Sequence, residues 1–503
     1  MPKRSSGCFT CRARKVRCDE AKPECNTCLR RGTKCPGYRP TQAFILHTFN
    51  DQTDKPGIVK EDETRYRYAY QDQEGISGAQ QSVIQLRSSA SKAVDVLVPR
   101  QLSPIAVERI QHLSNFLSLY LPKWEGETLT PPSALILSLP STPASRQVLL
   151  ASLDALSAAQ LAVSNKNYPL INRSRSLYST ALGQLMRSIT QPKTPQEDET
   201  LLATYLLALY EVFVGVSSGT GFFYHVQGLL RLLKQRGPAS INTKLTLDIF
   251  HGIRYYSLTI GFHVRKASIL DSPEWLEVTS KAAKPDPWVY LMDLCICVPR
   301  LLERTDKLTR AAASAEEFEK VITDSQRLAD RAFKWFAKFE KDGPRYTKVD
   351  VNSMTGFLQI CDDLTYDPVF AFNSWATSNT YLLYWMSMLI LRSNNFLLVR
   401  KFHQLEPKQL YVWDRELSGY ADCICRGVPF SCRPTAGYTG RFSTLTPLVV
   451  VRKYFEAKAA KKEAAWCERA YYGTKVPGLY SPPIPIEPLQ GLIELVQSSQ
   501  RYI

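Results

Sequence analysis

The sequence has little that points to catalysis. It holds no G-x-G-x-x-G followed by an acidic residue at the right distance, no P-loop and no H-E-x-x-H, so no enzyme is expected. Histidine is scarce: there are six in 503 residues, and the first is His47. The opening MPKRSSG contains no apolar run, so no secretory leader is expected and disulfides are disfavoured. Long apolar runs are few. The most extended, Leu201–Phe223, has Glu211 near its centre and a polar, glycine-rich stretch at Ser217–Gly221. It is expected to be one buried core helix rather than a membrane span, and Tyr381–Leu391 is too short to cross. Few segments alternate as strands do.

What the sequence does hold is positive charge and thiol, and both are concentrated. Hydrophobic residues make up 44% of the chain, enough for a large core without covalent staples. The net charge is +16, and residues 1–40 supply half of it with eleven Lys or Arg against three acids. A local cationic cluster is the footprint of a nucleic-acid contact. Six of the 13 cysteines fall in the same stretch: Cys8, Cys11, Cys18, Cys25, Cys28 and Cys35. They form a repeat, C-x2-C-x6-C, then a six-residue gap, then C-x2-C-x6-C again.

In a reducing compartment a thiol cluster this dense reads as metal ligands. A structural zinc takes four tetrahedral ligands. Two zinc ions need twice that number, six thiolates fall two short, and no histidine lies near enough to help. Two sulfurs must therefore be shared, and the internal symmetry makes them Cys8 and Cys25. RING and LIM-type modules use more ligands and longer gaps, and iron–sulfur sites group their cysteines more tightly. A segment this small has no room for an apolar core, so metal binding supplies its folding energy. The residues left facing outward are mostly cations, with Arg12, Arg14, Lys15 and Arg17 between Cys11 and Cys18.

Residues 8–35 resemble the fungal-type binuclear zinc cluster, the six-cysteine DNA-binding module of fungal transcription regulators. Pro23 stands two residues before Cys25, where that family commonly has a proline. The resemblance implies two short helices pinned by two Zn2+ ions and related by a pseudo-twofold axis. The C-terminal end of the first helix would enter the DNA major groove. Lys15 matches the position that reads a C/G-rich triplet, with Arg14 beside it and Arg12 and Arg17 in the same basic segment. Arg30, Arg31 and Lys34 are the phosphate-contact candidates of the second half. Double-stranded DNA with C/G-rich triplet half-sites is the implied partner.

Three domains are expected. Residues 1–40 form the cluster module. Residues 41–101, rich in Gln, Ser, Asp and Lys, read as a flexible linker. In the resembled family a coiled coil often follows the cluster and sets dimer spacing. The only heptad-like run here, Val83, Leu86, Ala90, Ala93 and Leu97, is short and alanine-rich, which leaves a homodimer open. Residues 102–503 read as a large all-α domain, giving a mostly α chain. Ser103-Pro104 opens a helix with Ile110, Leu113, Leu117 and Leu121 on one face. Thr194-Pro195-Gln196-Glu197 and Ser314-Ala315-Glu316-Glu317 are capping boxes. After the second, Phe318, Val321, Leu328, Ala332, Phe336 and Phe339 share a face until Gly343-Pro344.

The order of these helices resembles the fungal-specific transcription factor regulatory domain, most closely at YEVF (210–213), HVQGLLRLLKQRGP (225–238) and GIRYYSLTIGFHVRKASILDSPEW (252–275). His225 is expected to cap or pack. Cys423, Cys425 and Cys432 are expected to be buried free thiols. A small-molecule effector is a further expected partner, since a large helical domain can hold a pocket and Phe370–Trp385 is aromatic enough to line one. No membrane is expected. The two resemblances together imply a nuclear, zinc-dependent regulator of RNA polymerase II genes, with control of a specialised-metabolite cluster among the implied roles. The alternative is a zinc-stabilised nuclear interaction scaffold that does not read bases.

Overall fold

The computed structural model describes residues 8–19, 21, 25–33, 35, 104–123, 129–142, 146–191, 197–215, 220–280, 286–474 and 484–495. The chain divides into two compact units between residues 93 and 94. Lys34 and Pro23, the heptad-like run, and residues 194–196 of the first expected capping box lie outside the described residues.

The N-terminal unit contains α1 (Phe9–Ala13) and α2 (Asn26–Leu29). Helices of one turn do not persist alone in water. Here each follows a cysteine and is held by what the sulfurs do. The buried cluster of this unit consists of cysteine side chains alone among the described residues.

The C-terminal unit is built from helices, as the patterning predicts. It opens with α3 (Pro104–Tyr120), α4 (Pro131–Ser138), α5 (Gln147–Ser164), α6 (Tyr168–Thr190), α7 (Asp198–Val214) and α8 (Thr220–Arg236). On α3 the buried positions are Phe116 and Tyr120, while Ile110, expected on that face, is 56% exposed. Helix α5 packs between α6 and α7, and its fully buried Ala155, Ala158, Ala159 and Ala162 let the neighbours approach closely.

The apolar run from Leu201 to Phe223 is two helices, not one. Helix α7 ends at Val214 and α8 begins at Thr220. Glu211 gives the physical reason. Its carboxylate lies where the chain turns, and a Cβ on either Gly215 or Gly221 would collide with it. Glu197, at the N-cap of α7, makes no side-chain cap hydrogen bond.

Next come α9 (Lys244–Val264), α10 (Pro273–Ser280), α11 (Pro287–Cys295), α12 (Val298–Arg310) and α13 (Ala315–Phe339). The capping box expected at Ser314 is present: its hydroxyl accepts from Glu317 N–H at 3.4 Å, and Glu317 Oε2 accepts from Ser314 N–H at 3.1 Å. Phe318, Val321, Leu328, Ala332 and Phe339 are buried along one stripe of α13. Gly343, with φ +94°, turns the chain after its end.

A detail the patterning missed follows. Strand β1 (Tyr346–Val349) pairs antiparallel with β2 (Val369–Phe372), with Tyr346 opposite Phe372 and α14 (Thr355–Leu358) between them in sequence. Each strand is only four residues long, too short for an alternation signal to register.

The chain then forms α15 (Trp375–Phe402), α16 (Pro407–Ser431), α17 (Gly437–Ala457) and α18 (Lys461–Thr474). Helix α15 has 28 residues and contains the run Tyr381–Leu391. It and α5 are long and apolar enough to cross a membrane, but 89% of the apolar window of α15 is buried inside the fold. Its core stack includes Tyr384 against Phe336, with ring centroids 4.1 Å apart. Cys425 and Cys432 are buried and Cys423 half-buried, all as free thiols. Cys425 Sγ lies 3.8 Å from Cys467 Sγ.

Candidate metal centre and nucleic-acid interface

The two halves of the cysteine run repeat each other in hydrogen bonds as well as in spacing. Cys11 N–H donates to Cys8 Sγ at 3.4 Å, and Cys28 N–H donates to Cys25 Sγ at 3.4 Å. Cys8 N–H donates to Cys18 Sγ at 3.4 Å, and Cys25 N–H to Cys35 Sγ at 3.5 Å. Each half folds its first cysteine under the helix that follows and brings its third back beside the first.

This places the six sulfurs in two overlapping groups. Cys8, Cys11, Cys18 and Cys25 make one; Cys8, Cys25, Cys28 and Cys35 make the other. Within each, the sulfurs all lie within 4.8 Å of one another. The sulfurs common to both groups are Cys8 and Cys25, 3.5 Å apart. Cys8–Cys28 and Cys11–Cys25 are each 3.7 Å, and Cys11–Cys28 is 3.9 Å. A tetrahedron with sulfur about 2.3 Å from a central zinc has an edge of about 3.8 Å, so the Cys8–Cys25, Cys8–Cys28 and Cys11–Cys25 spacings suit the ion, while Cys11 and Cys28 belong to different groups. Burial pushes the Cys8 thiol up to about 12 and raises Cys11 and Cys25 as well. Sulfurs this crowded become thiolates only when cations are supplied.

One carboxylate that the sequence reading missed ties the halves together. Asp19 accepts from Asn26 N–H at 3.0 Å and Thr27 N–H at 3.1 Å, at the N-terminus of α2. Desolvation works to raise its pKa, but these backbone donors outweigh it and hold the carboxyl at about 2. The available signal was an Asp directly after Cys18.

The cations sit at the helix ends. Arg14, Lys15 and Arg17 are exposed, as are Arg30 and Arg31. The side chain of Arg12 lies outside the described residues. Helix α1 ends with Val16 N–H donating to Cys11 O at 3.0 Å, and α2 with Thr33 N–H donating to Cys28 O at 3.2 Å. In this closing turn one residue must adopt the left-handed conformation. In the second half it is Gly32, φ +64°. In the first half the equivalent residue is Lys15, φ +53°. A side chain there costs about 1 kcal/mol that glycine would not. The repeat accepts that strain only where the residue is a lysine.

One other expected feature resolves into packing. His225 Nε2 lies 2.7 Å from Tyr178 OH, which donates to Glu211, so it belongs to a buried polar chain rather than a cap. The string GVSSG at 215–219 spells G-x-S-x-G, but it follows helix α7, and that motif needs a strand before it.

A separate cavity of about 430 Å³ lies in the helical unit, walled by residues as far apart in sequence as Tyr120 and Thr446. From the aromatic stretch 370–385, Trp375 and Asn379 line it, whereas Phe370, Phe372, Tyr381 and Trp385 pack with Tyr346 in the core.

Residues 6–43 match the fungal Zn(2)-Cys(6) binuclear cluster domain, and residues 98–333 match the fungal specific transcription factor domain. Among curated proteins, an uncharacterized protein of Emericella nidulans is 28% identical over 146 residues, 27% of this chain and 31% of its own length. The aspercryptin biosynthesis cluster-specific transcription regulator atnN of Emericella nidulans is 54% identical over 35 residues, 7% of this chain and 6% of its own. The pestheic acid cluster transcriptional regulator 3 of Pestalotiopsis fici is 55% identical over 45 residues, 9% of this chain and 8% of its own. The chain thus spans less than a third of each of these relatives in alignment. No solved structure matches. The chain carries a fungal Zn(2)-Cys(6) binuclear cluster domain, which takes two zinc ions, and a fungal specific transcription factor domain.

Proposed function

We propose that this chain, with a binuclear zinc cluster domain and a fungal transcription factor domain, is a zinc-dependent, sequence-specific DNA-binding regulator of RNA polymerase II genes. It works in the nucleus and controls a specialised-metabolite gene cluster. The names of two relatives, each similar over a short stretch of the chain, support that last point. Residues 1–40 are the DNA-binding domain, 41–101 the linker and 102–503 the regulatory domain, and the chain has no catalytic role.

Cys8, Cys11, Cys18, Cys25, Cys28 and Cys35 hold two Zn2+ ions, with Cys8 and Cys25 shared. Bound zinc supplies the folding energy of the module and offsets the charge of the thiolates. Lys15 and Arg14, at the open end of α1, reach base edges of a C/G-rich triplet, where a cation donates to guanine O6 and N7. Arg12 and Arg17 support them, and Arg30, Arg31 and Lys34 hold phosphates, which position the module without specifying sequence. Two copies bind paired half-sites as a homodimer. A small-molecule effector occupies the cavity of the helical unit and sets its activity.

The observation that carries base reading is the lysine in a left-handed position where its repeat partner is glycine. The variant Lys15→Gly tests it directly. Relieved of strain, it should retain two zincs and be at least as stable. Its affinity for a C/G-rich duplex should fall about tenfold or more, the loss of one good base contact. Affinity for random duplex should fall far less. Fluorescence anisotropy on the full chain reads both. Equal losses on the two duplexes would remove the base-reading role, and a wild-type chain without sequence preference would favour the scaffold.

A further inference from the structure

We infer that the cavity of the helical unit takes a flat, neutral aromatic molecule carrying a carbonyl oxygen, and that Asn379 is the donor that recognises it. This rests on the effector role proposed above and adds the chemistry of the ligand.

The walls decide the first part. Tyr205, Tyr255, Tyr256, Trp288, Trp375 and Phe442 face a space of about 430 Å³. Among the described lining residues there is no carboxylate, ammonium or guanidinium group. A cation would lose its hydration there without gaining a counter-charge, and an anion would meet only the His263 imidazole. Aromatic walls favour a ring system that stacks or meets them edge-on. The walls are also fixed before any ligand arrives. Tyr205 and Tyr256 stack with ring centroids 5.1 Å apart. Gly252 makes room for them, since a Cβ there would sit 2.6 Å from the Tyr205 ring.

The polar groups decide the second part. The hydroxyls of Thr130, Thr259 and Ser443 already donate within the protein, to Ser133 Oγ, Tyr256 O and Gly440 O. They are left as acceptors. Asn379 differs. It lines the cavity, is only 7% exposed, and its Oδ1 accepts from Trp288 Nε1 at 2.8 Å. An indole N–H can only donate, so it fixes which end of the amide is oxygen. The Nδ2 end carries two N–H groups with no acceptor among the described residues. The protein leaves this donor for whatever enters the cavity, and a ligand carbonyl is a group that satisfies it.

Three probes separate these claims, titrated into the full chain and followed by quenching of tryptophan fluorescence. They are 1,8-dihydroxyanthraquinone, anthracene and anthraquinone-2-sulfonate. The first should bind about tenfold more tightly than anthracene, the value of one well-made buried hydrogen bond, and more tightly than the sulfonate. Asn379→Asp keeps the acceptor for Trp288 and removes both donors, so it should abolish the preference for the quinone over anthracene. The wild-type ranking tests the idea even if that variant fails to fold. Equal binding of quinone and anthracene, or tighter binding of the sulfonate, overturns the inference and leaves an effector site standing. No binding of any probe by a folded chain overturns both.

Discussion

Between residues 8 and 35 the side chains withdrawn from water are cysteines; between residues 104 and 495 they are leucines, alanines and aromatic rings. The difference is one of what can be closed up. Two one-turn helices cannot bury enough apolar surface to stay folded, so their order comes from sulfur and metal. Helices of 17 to 28 residues bury whole faces, and α15 is buried on every side. The same residue type accordingly does different work in the two regions. In the first, cysteines crowd into two sharing groups. In the second, Cys425, Cys432 and Cys467 are small core residues packed beside one another or beside threonine hydroxyls.

The strongest test of this contrast is to remove the metal. A structural zinc contributes on the order of 10 kcal/mol or more to a module of this size. A thiol-competing chelator, or Cys25→Ser at a shared position, should abolish specific DNA binding and expose the remaining N-terminal thiols to labelling. The far-UV helical signal, which comes almost wholly from the second unit, should stay. DNA binding that survives chelation would mean that the sulfurs are not a metal frame.

The converse test damages the apolar core. Trp466 is 1% exposed, its ring meets Tyr366 edge-on at 4.7 Å, and its Nε1 donates to Asp363 O at 3.0 Å. Trp466→Ala should destabilise the helical unit by about 3–5 kcal/mol in urea unfolding. Zinc content should remain two per chain. A parallel loss of zinc would show that the two units do not fold independently.

A smaller effect is expected from pH in the helical unit. His251 packs beside Phe250 and Trp288, and burial, helped by the Arg254 guanidinium, pulls its pKa from the usual 6.5 to about 3. Above pH 6.5 the imidazole is neutral in folded and unfolded chains alike. Below it, the unfolded chain binds a proton that the folded chain refuses down to about pH 3, so stability falls as pH falls. His225, pulled down by burial to about 4, acts in the same sense, while Glu211, raised by burial, opposes it. His251→Gln should reduce the loss between pH 7 and pH 5 by about 1–2 kcal/mol, read from urea midpoints at the two values. An unchanged slope would mean that His251 is protonated in the folded chain.

The N-terminal site was legible because its rules are local. Ligand count and spacing are written in consecutive residues, and the deficit of two seats already pointed to sharing. The strain at Lys15 was not legible: a left-handed lysine follows from where the helix closes, and only the comparison with Gly32 makes it informative. In the helical unit the cap at Ser314 was readable because a capping box is a four-residue device. The break within Leu201–Phe223 was not, although its glycines were visible, because its cause is the position of the Glu211 carboxylate. The four-residue strands β1 and β2 escaped because two short segments pair across a gap in sequence that no local pattern records.

What the sequence determined by itself, then, is the number and kind of metal ligands, the placement of half the net positive charge beside them, and the helical period of many segments after Ser103. Each depends on residues within a turn or two of one another. The tertiary structure alone decided that Lys15 would take the left-handed conformation that Gly32 takes in the second half. It also decided that Asn379 would present a donor into an aromatic cavity. Both outcomes require groups distant in the chain to fix a backbone angle or to claim one end of an amide, and such constraints exist only once the chain has folded.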